Sequence, residues 1–350
     1  NLSIDSTDLE EAGAGLGAAM SPLEEGLLEY RPSALVDAMI VLDGAARRAS
    51  HEVSEAQGEP AAKLLARAAI DELIGALDAW GRDPDQSIAY ITKDESDNAR
   101  LTVGPLDVSA AIGGNGIGER PAILTSATLA IGGNFDFMAA QVGMAVSGVP
   151  WHGIDVGSPF DHGRQGIRYV ATHLPLPGRD GPSDALLDEL VELAQASGGG
   201  MLALFASRRG AMAGAQALRE QTDLTVYLQG EETLAQLIQR FREERDSCLV
   251  GTMSLWQGVD VAGEACRLVV IDKIPFPRPD DPVSRARSMD VERRGGNGFV
   301  SVSLTHAALM MAQGVGRLLR STDDRGVVAI LDPRLVTKRY GSFIMRSLPA

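Results

Sequence analysis

Cysteine is almost absent from this sequence. Only Cys248 and Cys266 occur among its 350 residues. Two thiols do not build a disulfide framework, and they cannot supply the four thiolates that an iron–sulfur cluster requires. Low cysteine usage is typical of a reducing compartment. We therefore expect a cytoplasmic protein with no iron–sulfur cluster in this chain.

Long apolar runs are also absent, so the sequence predicts no membrane span and no membrane partner. The first residues, Asn1-Leu2-Ser3, include no methionine and no basic segment followed by an apolar stretch. We therefore expect no secretory signal and interpret the sequence as a fragment. With 45% hydrophobic and 23% charged residues, it is long enough for two domains of ordinary size.

Lysine is scarce, and its placement excludes one common nucleotide site. The four lysines are Lys63, Lys93, Lys273 and Lys338, and none of them follows a glycine. A P-loop requires the sequence Gly-x-x-x-x-Gly-Lys-Ser/Thr, so the chain contains no P-loop. The segment Val269–Lys273 resembles a Walker B strand but lacks the adjacent second carboxylate.

Acidic residues are in excess, but the excess is local. The net charge is −15. Residues 1–100 hold 20 acidic and 8 basic residues, whereas residues 301–350 hold 3 acidic and 7 basic residues. A globally acidic protein does not coat nucleic acid nonspecifically. The cationic end of the sequence nevertheless permits a groove for a polyanion.

The first 85 residues have the apolar periodicity of α-helices. Apolar side chains recur every three or four positions in two series, Leu35, Met39, Leu42 and Ala46, then Ile70, Leu73, Ile74 and Leu77. Ser33 and Pro60 are start signals, and Gly81 is a stop signal. Short strands are predicted at Ser87–Thr92 and Ala99–Val103.

From Pro121 onward, short apolar strands alternate with amphipathic helices. The predicted strands are Ala122–Thr125, Gly200–Phe205, Thr225–Leu228, Cys248–Gly251, Leu268–Asp272 and Val327–Leu331. The predicted helices are Ala185–Ser197, Gly210–Glu220, Thr233–Arg245 and Thr305–Arg320. This alternation predicts a mainly parallel sheet that is covered by helices on both faces. Ligands of such sheets bind at the carboxyl ends of the strands.

The most informative segment is Gln313–Arg320, which reads Gln-Gly-Val-Gly-Arg-Leu-Leu-Arg. On a helix, Gln313, Arg317 and Arg320 share one face, and Gly316 allows a close approach to the backbone. Two guanidiniums and an amide directed at one point suit a polyphosphate. The alternative is an amphipathic helix with a solvent-exposed cationic face.

Polar side chains also follow two of the predicted strands. Ser126 and Thr128 follow the first strand of the α/β block, and their hydroxyls could relay hydrogen bonds between two ligands. Ser207 and Arg208 follow the next strand, where a helix start favours an anion. In both places the alternative is a helix N-cap, which Ser and Thr favour.

The loop Gly251–Asp260 follows another strand end and reads Gly-Thr-Met-Ser-Leu-Trp-Gln-Gly-Val-Asp. Such loops offer backbone amides to phosphates, and Asp260 could accept from a ribose hydroxyl. Trp256 could stack on a base or pack in the core. Prolines predict an extended loop at Pro275–Pro282, whose two aspartates lack a third ligand at metal spacing. No metal site is therefore predicted.

Together and in this order, these segments resemble the motifs of the DinG/XPD-like branch of superfamily two helicases. Ser126-Ala127-Thr128 resembles motif III, and Phe205-Ala206-Ser207 resembles motif IV. Gly251–Asp260 resembles motif V, and Gln313–Arg320 resembles motif VI. The resemblance covers about Pro121 to the end. It implies the C-terminal portion of such a helicase, with the P-loop and the acidic box in a preceding lobe.

The resemblance implies an ATP-dependent DNA helicase of DNA repair or replication. ATP and Mg²⁺ would be held mainly by the missing N-terminal RecA-like lobe of the same protein, so this chain alone would be inactive. Arg317 and Arg320 would act as arginine fingers that Gln313 orients. The residues implied to bind nucleotide are Gly258, Asp260 and Gly316.

The resemblance also implies residues for a second ligand, single-stranded DNA. Those residues are Ser207, Arg208, Thr252 and Trp256. Ser126 and Thr128 would couple the DNA site to the nucleotide site.

Three regions are implied along the chain. Residues 1–85 would be a helical arch-like region, residues 86–178 the C-terminal part of a first RecA-like lobe, and residues 179–350 a second RecA-like lobe. The expected fold class is α/β, a RecA-like and mainly parallel sheet with an α-helical N-terminal region. Two other functions stay open, a non-catalytic nucleic-acid-binding or adaptor module and a transferase acting on a sugar nucleotide.

Overall fold

A computed structural model of the protein describes residues 6–117, 120–126, 128–178, 181–252, 255, 261 and 263–349. The chain divides into two compact units. Unit 1 comprises Asn1–Asn115, Gln141–Ser147 and Arg278–Val302. Unit 2 comprises Gly116–Ala140, Gly148–Pro277 and Ser303–Ala350.

The described α-helices and β-strands are numbered in chain order. The helices are α1 (Thr7–Met20), α2 (Ser33–Glu55), α3 (Pro60–Gly81), α4 (Ser109–Ile112), α5 (Asp136–Gln141), α6 (Met144–Ser147), α7 (His162–Gln165), α8 (Asp184–Ser197), α9 (Arg208–Gln221), α10 (Leu234–Glu243), α11 (Pro282–Arg293), α12 (Thr305–Val315), α13 (Arg334–Thr337) and α14 (Gly341–Ser347). The strands are β1 (Gly26–Leu27), β2 (Ser87–Lys93), β3 (Ala99–Pro105), β4 (Gly166–Val170), β5 (Met201–Leu204), β6 (Thr225–Leu228), β7 (Ser247–Gly251), β8 (Leu268–Ile271) and β9 (Gly326–Ile330).

Unit 1 packs long helices against a small antiparallel sheet of order β1-β2-β3. The predicted helix signals are confirmed, because α2 begins at Ser33 and α3 runs from Pro60 to Gly81. The first apolar series, Leu35 to Ala46, is buried in one cluster with Trp80 and Ile91. This cluster is the core of unit 1.

Helix α11 belongs to unit 1 and is held there by ion pairs. Arg285 pairs with Glu29, and Arg293 pairs with Asp85. The proline-rich segment before α11 is not helical, as predicted, and the Asp281 side chain caps α11 by accepting from the Ser284 N–H at 2.7 Å.

Unit 2 is built around a six-stranded parallel sheet of order β4-β9-β8-β5-β7-β6. Alternate side chains of each central strand enter two different cores. In β5, Leu202 and Leu204 point into a core shared with α10 and α12, whereas Met201 and Ala203 point into a core shared with α8 and α9. The predicted parallel α/β fold is therefore confirmed.

Three elements of unit 2 differ from their predictions. The strand predicted at Ala122–Thr125 is not formed. Strand β4 was not predicted, because Ile167 and Arg168 are exposed and the segment lacks an apolar run. Helix α12 ends at Val315, five residues before the predicted end at Arg320.

Candidate functional site

The turn after β5 places Ser207 at the start of α9. The Ser207 hydroxyl accepts from the Gly210 N–H at 3.1 Å, so this side chain is the N-cap of the helix. The N-cap alternative is thus correct for Ser207. Arg208 follows it with an exposed side chain at the N-terminal end of α9, where the helix dipole favours an anion.

Thr252 follows the end of β7 and is fixed by a glutamine from the end of β6. The Gln229 Oε1 atom accepts from the Thr252 N–H at 2.7 Å and lies 3.2 Å from the Thr252 hydroxyl. The approach is close because Gly251 has no side chain, and a Cβ there would lie 2.5 Å from Gln229 Oε1. Thr252 and Arg208 therefore follow β7 and β5, two strands that are neighbours in the sheet.

Asp272 follows β8 at the same edge of the sheet and is 5% exposed. Its Oδ1 atom accepts from the N–H groups of Ala206 and Lys273 at 2.9 and 2.7 Å. Burial raises the pKa of Asp272 to about 7, although these two N–H groups and the charge of Lys273 lower it. The carboxyl group therefore joins the end of β8 to the turn that carries Ser207.

Asp332 follows β9 and is fully buried. Arg334 donates to both of its oxygens, with the shortest contact at 2.7 Å, and the Ile274 N–H also donates to it at 2.9 Å. The Arg334 guanidinium lies 5.7 Å from the centre of the Phe276 ring. Since its charge is paired and stacked, Arg334 is a structural residue.

The residues predicted at the end of α12 line one cleft in unit 2. Gln313 lies in the last turn of the helix, Gly316 is its C-cap, Arg317 follows in a tighter turn, and Arg320 lies in a bend beyond it. The N–H groups of Gly316 and Arg317 donate to the carbonyls of Ala312 and Gly314 at 2.9 and 3.1 Å. The three polar side chains reach the cleft although the helix is shorter than predicted.

The cleft has a volume of about 1340 Å³ and also includes Ser126 and Thr128. The Ser126 hydroxyl lies 3.3 Å from that of Thr128 and accepts from the Thr128 N–H at 3.2 Å. Within the described part of the chain no helix begins here, so the N-cap alternative is wrong for this pair. Sequence segments about 190 residues apart thus meet in one cleft.

A buried amide oxygen marks the polar part of this cleft. Gln313 Oε1 is buried and has no hydrogen-bond partner among the described residues. A buried acceptor without a donor costs free energy, so this position favours a ligand that supplies one. The Arg320 side chain, which lines the same cleft, has a buried Nε atom. Burial raises the pKa of the Cys266 thiol to about 12, and the charge of Arg320 opposes this rise.

The loop after Arg320 is organised by Asp324, which is 6% exposed. Asp324 Oδ2 accepts from the N–H groups of Arg320 and Ser321 at 2.7 and 2.8 Å, and Oδ1 accepts from the Ser321 hydroxyl at 2.7 Å. Burial raises the pKa of Asp324, but these hydrogen bonds outweigh it and lower the pKa overall. Asp324 is therefore a carboxylate that holds the backbone of Arg320.

Two further arginines line the cleft and were not predicted. Arg168 comes from the edge strand β4, and Arg346 comes from α14. Both side chains are exposed. Together with Arg317 and Arg320 they give the cleft four guanidiniums, which is a suitable set for a polyphosphate.

Three predicted site residues, Trp256, Gly258 and Asp260, lie outside the described residues. Among the residues that the structure describes, no group of three His, Cys, Asp or Glu side chains could hold a metal ion. The aspartates of the proline-rich loop have other partners, since Asp280 pairs with Arg278 and Asp281 caps α11. In the described ranges no helix could span a membrane.

Comparison with known proteins gives consistent similarities. Residues 190–350 match the helicase C-terminal domain family. The chain is 52% identical over 256 residues to the ATP-dependent helicase DinG of Mycobacterium tuberculosis (strain ATCC 25618 / H37Rv), an alignment that covers 73% of this chain and 38% of that protein. It is 39% identical over 227 residues to the ATP-dependent DNA helicase YoaA of Escherichia coli (strain K12), which covers 65% of this chain and 35% of that protein.

A solved structure of an XPD helicase has the same fold. It superposes with a TM-score of 0.59 at 15% sequence identity, and the match covers 98% of this chain and 61% of that one. The present chain spans between a third and two fifths of the length of the two relatives named above.

Proposed function

We propose that this chain, a DinG/XPD-like C-terminal helicase portion whose residues 190–350 belong to the helicase C-terminal domain family, supplies the arginine half of an ATP-hydrolysing cleft. The single observation that carries the proposal is the meeting of Gln313, Arg317 and Arg320 with Ser126 and Thr128 in one cleft. The four guanidiniums around that cleft fit a nucleoside triphosphate.

The proposed roles follow from the chemistry of the side chains. ATP supplies the phosphoryl group whose transfer develops charge on its oxygens. Arg317 and Arg320 stabilise that charge. By resemblance, Gln313 orients them once ATP is bound, since its Oε1 atom accepts from neither guanidinium in this structure. Gly316 and, by resemblance, Gly258 and Asp260 contact the nucleotide. Ser126 and Thr128 couple nucleotide binding in this cleft to binding at the DNA site.

We propose that single-stranded DNA binds at the carboxyl edge of the sheet. Arg208 and Thr252 follow neighbouring strands there, and the N-terminal end of α9 faces the same edge. Ser207 already caps α9, so its remaining contribution is its hydroxyl hydrogen. Trp256 is included by resemblance as a stacking residue.

The rest of the enzyme is proposed to come from another part of the same protein. A preceding RecA-like lobe would supply the P-loop that this chain lacks and would hold Mg²⁺ and most of the ATP. Residues 1–85 would be the arch-like region, 86–178 the end of that first lobe, and 179–350 the second lobe. We assign the protein to DNA repair or replication in the cytoplasm, in keeping with two free thiols.

The test is Arg317→Ala in the full-length protein that carries this chain. We expect DNA-stimulated ATP turnover to fall by about 10³-fold or more, since arginine fingers contribute about 10³–10⁵ in turnover. ATP affinity, measured by fluorescence titration, should change little. Arg164→Ala is the matched control, because Arg164 is exposed and does not line the cleft. Lost ATP binding with normal turnover of the remaining complex would contradict the finger role.

A further inference from the structure

A buried glutamine far from the predicted motifs contacts the loop that follows Arg320. Gln165 is the last residue of α7 and is 7% exposed. Its Nε2 atom donates to the carbonyls of Ser321, Thr322 and Asp324 at 3.2, 3.0 and 3.0 Å. Its Oε1 atom accepts from the Asp161 N–H at 2.7 Å. Every polar atom of this side chain therefore faces backbone.

This pattern fixes the orientation of the amide. Three carbonyl oxygens surround Nε2 and an N–H faces Oε1, so the opposite orientation of the amide would leave all four contacts repulsive. No other neutral side chain of this length presents two donors and an acceptor in this way. The partners are 156 to 159 residues away in sequence, so the contact serves tertiary structure.

The loop is gripped from its other side by Asp324. Two N–H groups, those of Arg320 and Ser321, and the Ser321 hydroxyl all donate to the Asp324 carboxylate. Gln165 therefore donates to carbonyl groups of this loop, and Asp324 accepts from N–H groups of the same loop. We name this set, Gln165, Asp324 and Ser321, the loop clamp.

We propose that Gln165 is a positioning residue for the proposed arginine finger Arg320, and this inference rests on the proposed function. The loop clamp fixes the backbone of Arg320, so the guanidinium enters the cleft without reorganisation when charge develops on the phosphoryl group. The same glutamine lies in the segment Ser158–Gly166, several residues of which line the cleft. Gln165 thus fixes the Arg320 loop and one wall of the cleft relative to each other.

The experiment is a double-mutant cycle in the full-length protein with Gln165→Glu and Arg320→Lys. A carboxylate has the shape of the amide but donates no hydrogen bond to the three carbonyls. We expect Q165E to lower kcat for ATP by about 10- to 100-fold, the cost of a displaced catalytic group, with KM changed less than twofold. In the R320K background, Q165E should cause no further loss.

One control and one further variant separate positioning from a general loss of structure. Gln195→Glu makes the same change where the amide donates to a single carbonyl, that of Gln221, and should leave kcat unchanged. Ser321→Ala removes one hydrogen bond of the loop clamp from a half-buried residue and should lower kcat less, again only when Arg320 is present. If Q165E does not fold, S321A carries the same cycle.

The outcomes distinguish the two proposals. Equal losses from Q165E in wild-type and R320K backgrounds would overturn the positioning role, because they would indicate a structural effect. Normal kcat in Q165E and S321A, with a slow R320K, would overturn the role of Gln165 alone. Normal kcat in R320K would overturn the finger role of Arg320 and with it the positioning role.

Discussion

Several polar side chains at the carboxyl edge of the sheet are already hydrogen-bonded within the protein. Ser207 caps α9, and Thr252 is bonded to Gln229. Gln313, in contrast, buries an oxygen that has no partner among the described residues. Polar groups without hydrogen-bond partners, together with exposed arginines such as Arg208, are best suited to bind a ligand.

Asp272 provides a prediction about pH. Its pKa is raised to about 7 in the folded protein, above the ordinary value of 3.8, so the folded state binds a proton more tightly than the unfolded state. The resulting stability is fully present below about pH 4 and is lost as pH rises to about 7, by up to about 4 kcal/mol.

Urea unfolding of wild type and Asp272→Asn at several pH values between 4 and 8 tests this prediction. Asparagine keeps the oxygen that accepts from Ala206 and Lys273 but cannot ionise. We expect the variant to lose this part of the pH dependence and to be the more stable protein at pH 8. The same slope in both proteins would contradict the raised pKa.

Sequence reasoning found those side chains whose function is indicated by nearby residues in the sequence. Gln313, Arg317 and Arg320 were predicted as one polar group, and the structure brings them to one cleft. Gln165 and Asp324 were missed because an isolated glutamine or aspartate gives no local signal. Arg168 was missed because the strand that carries it was missed. Such residues are defined by partners that only the tertiary fold supplies.

At the scale of elements, glycine controls how closely α9 approaches the sheet. A Cβ on Gly214 would lie 2.5 Å from Phe205 Cζ and 3.2 Å from Leu190 Cδ2, and both of these side chains are buried in the core on this face. The helix can lie against the strand only while this position has no side chain.

Gly214→Ala should therefore lower the free energy of unfolding by about 1–3 kcal/mol, the usual cost of overpacking a core. The matched control is Gly75→Ala in α3, where an added Cβ has no atom within 4 Å. That variant should gain about 0.5–1 kcal/mol, since alanine favours helix more than glycine does. Denaturant unfolding of both variants checks the pair, and a stable G214A would show that α9 packs differently.

Elements were predictable where apolar spacing alone defines them. The bounds of α2, α3 and β6 follow their start and stop signals or their apolar runs closely. The end of α12 was predicted too late, because Arg317 and Arg320 continue the helical spacing. The backbone instead makes shorter-range turns at Arg317 and Leu318, and the Arg320 N–H donates to the Asp324 side chain. Apolar periodicity reports a buried face but not the hydrogen-bond pattern that ends a helix.

At the scale of the whole molecule, the division into units does not follow the order of the sequence. Arg278–Val302 belongs to unit 1 although the segments on both sides of it belong to unit 2. The ion pairs Arg285–Glu29 and Arg293–Asp85 join residues 256 and 208 positions apart. No local pattern reveals such pairs, and the assignment of three consecutive regions to parts of a helicase stays a prediction.

We propose that this chain carries the arginine half of the catalytic cleft, whereas the half that binds the nucleotide phosphates lies elsewhere in the same protein. The most direct measurement is ATP turnover by the purified 350-residue chain, with and without single-stranded DNA, beside the full-length protein. We expect DNA-stimulated turnover by the full-length protein and no turnover above background by the chain alone. Brisk, DNA-stimulated hydrolysis by the chain alone would contradict it.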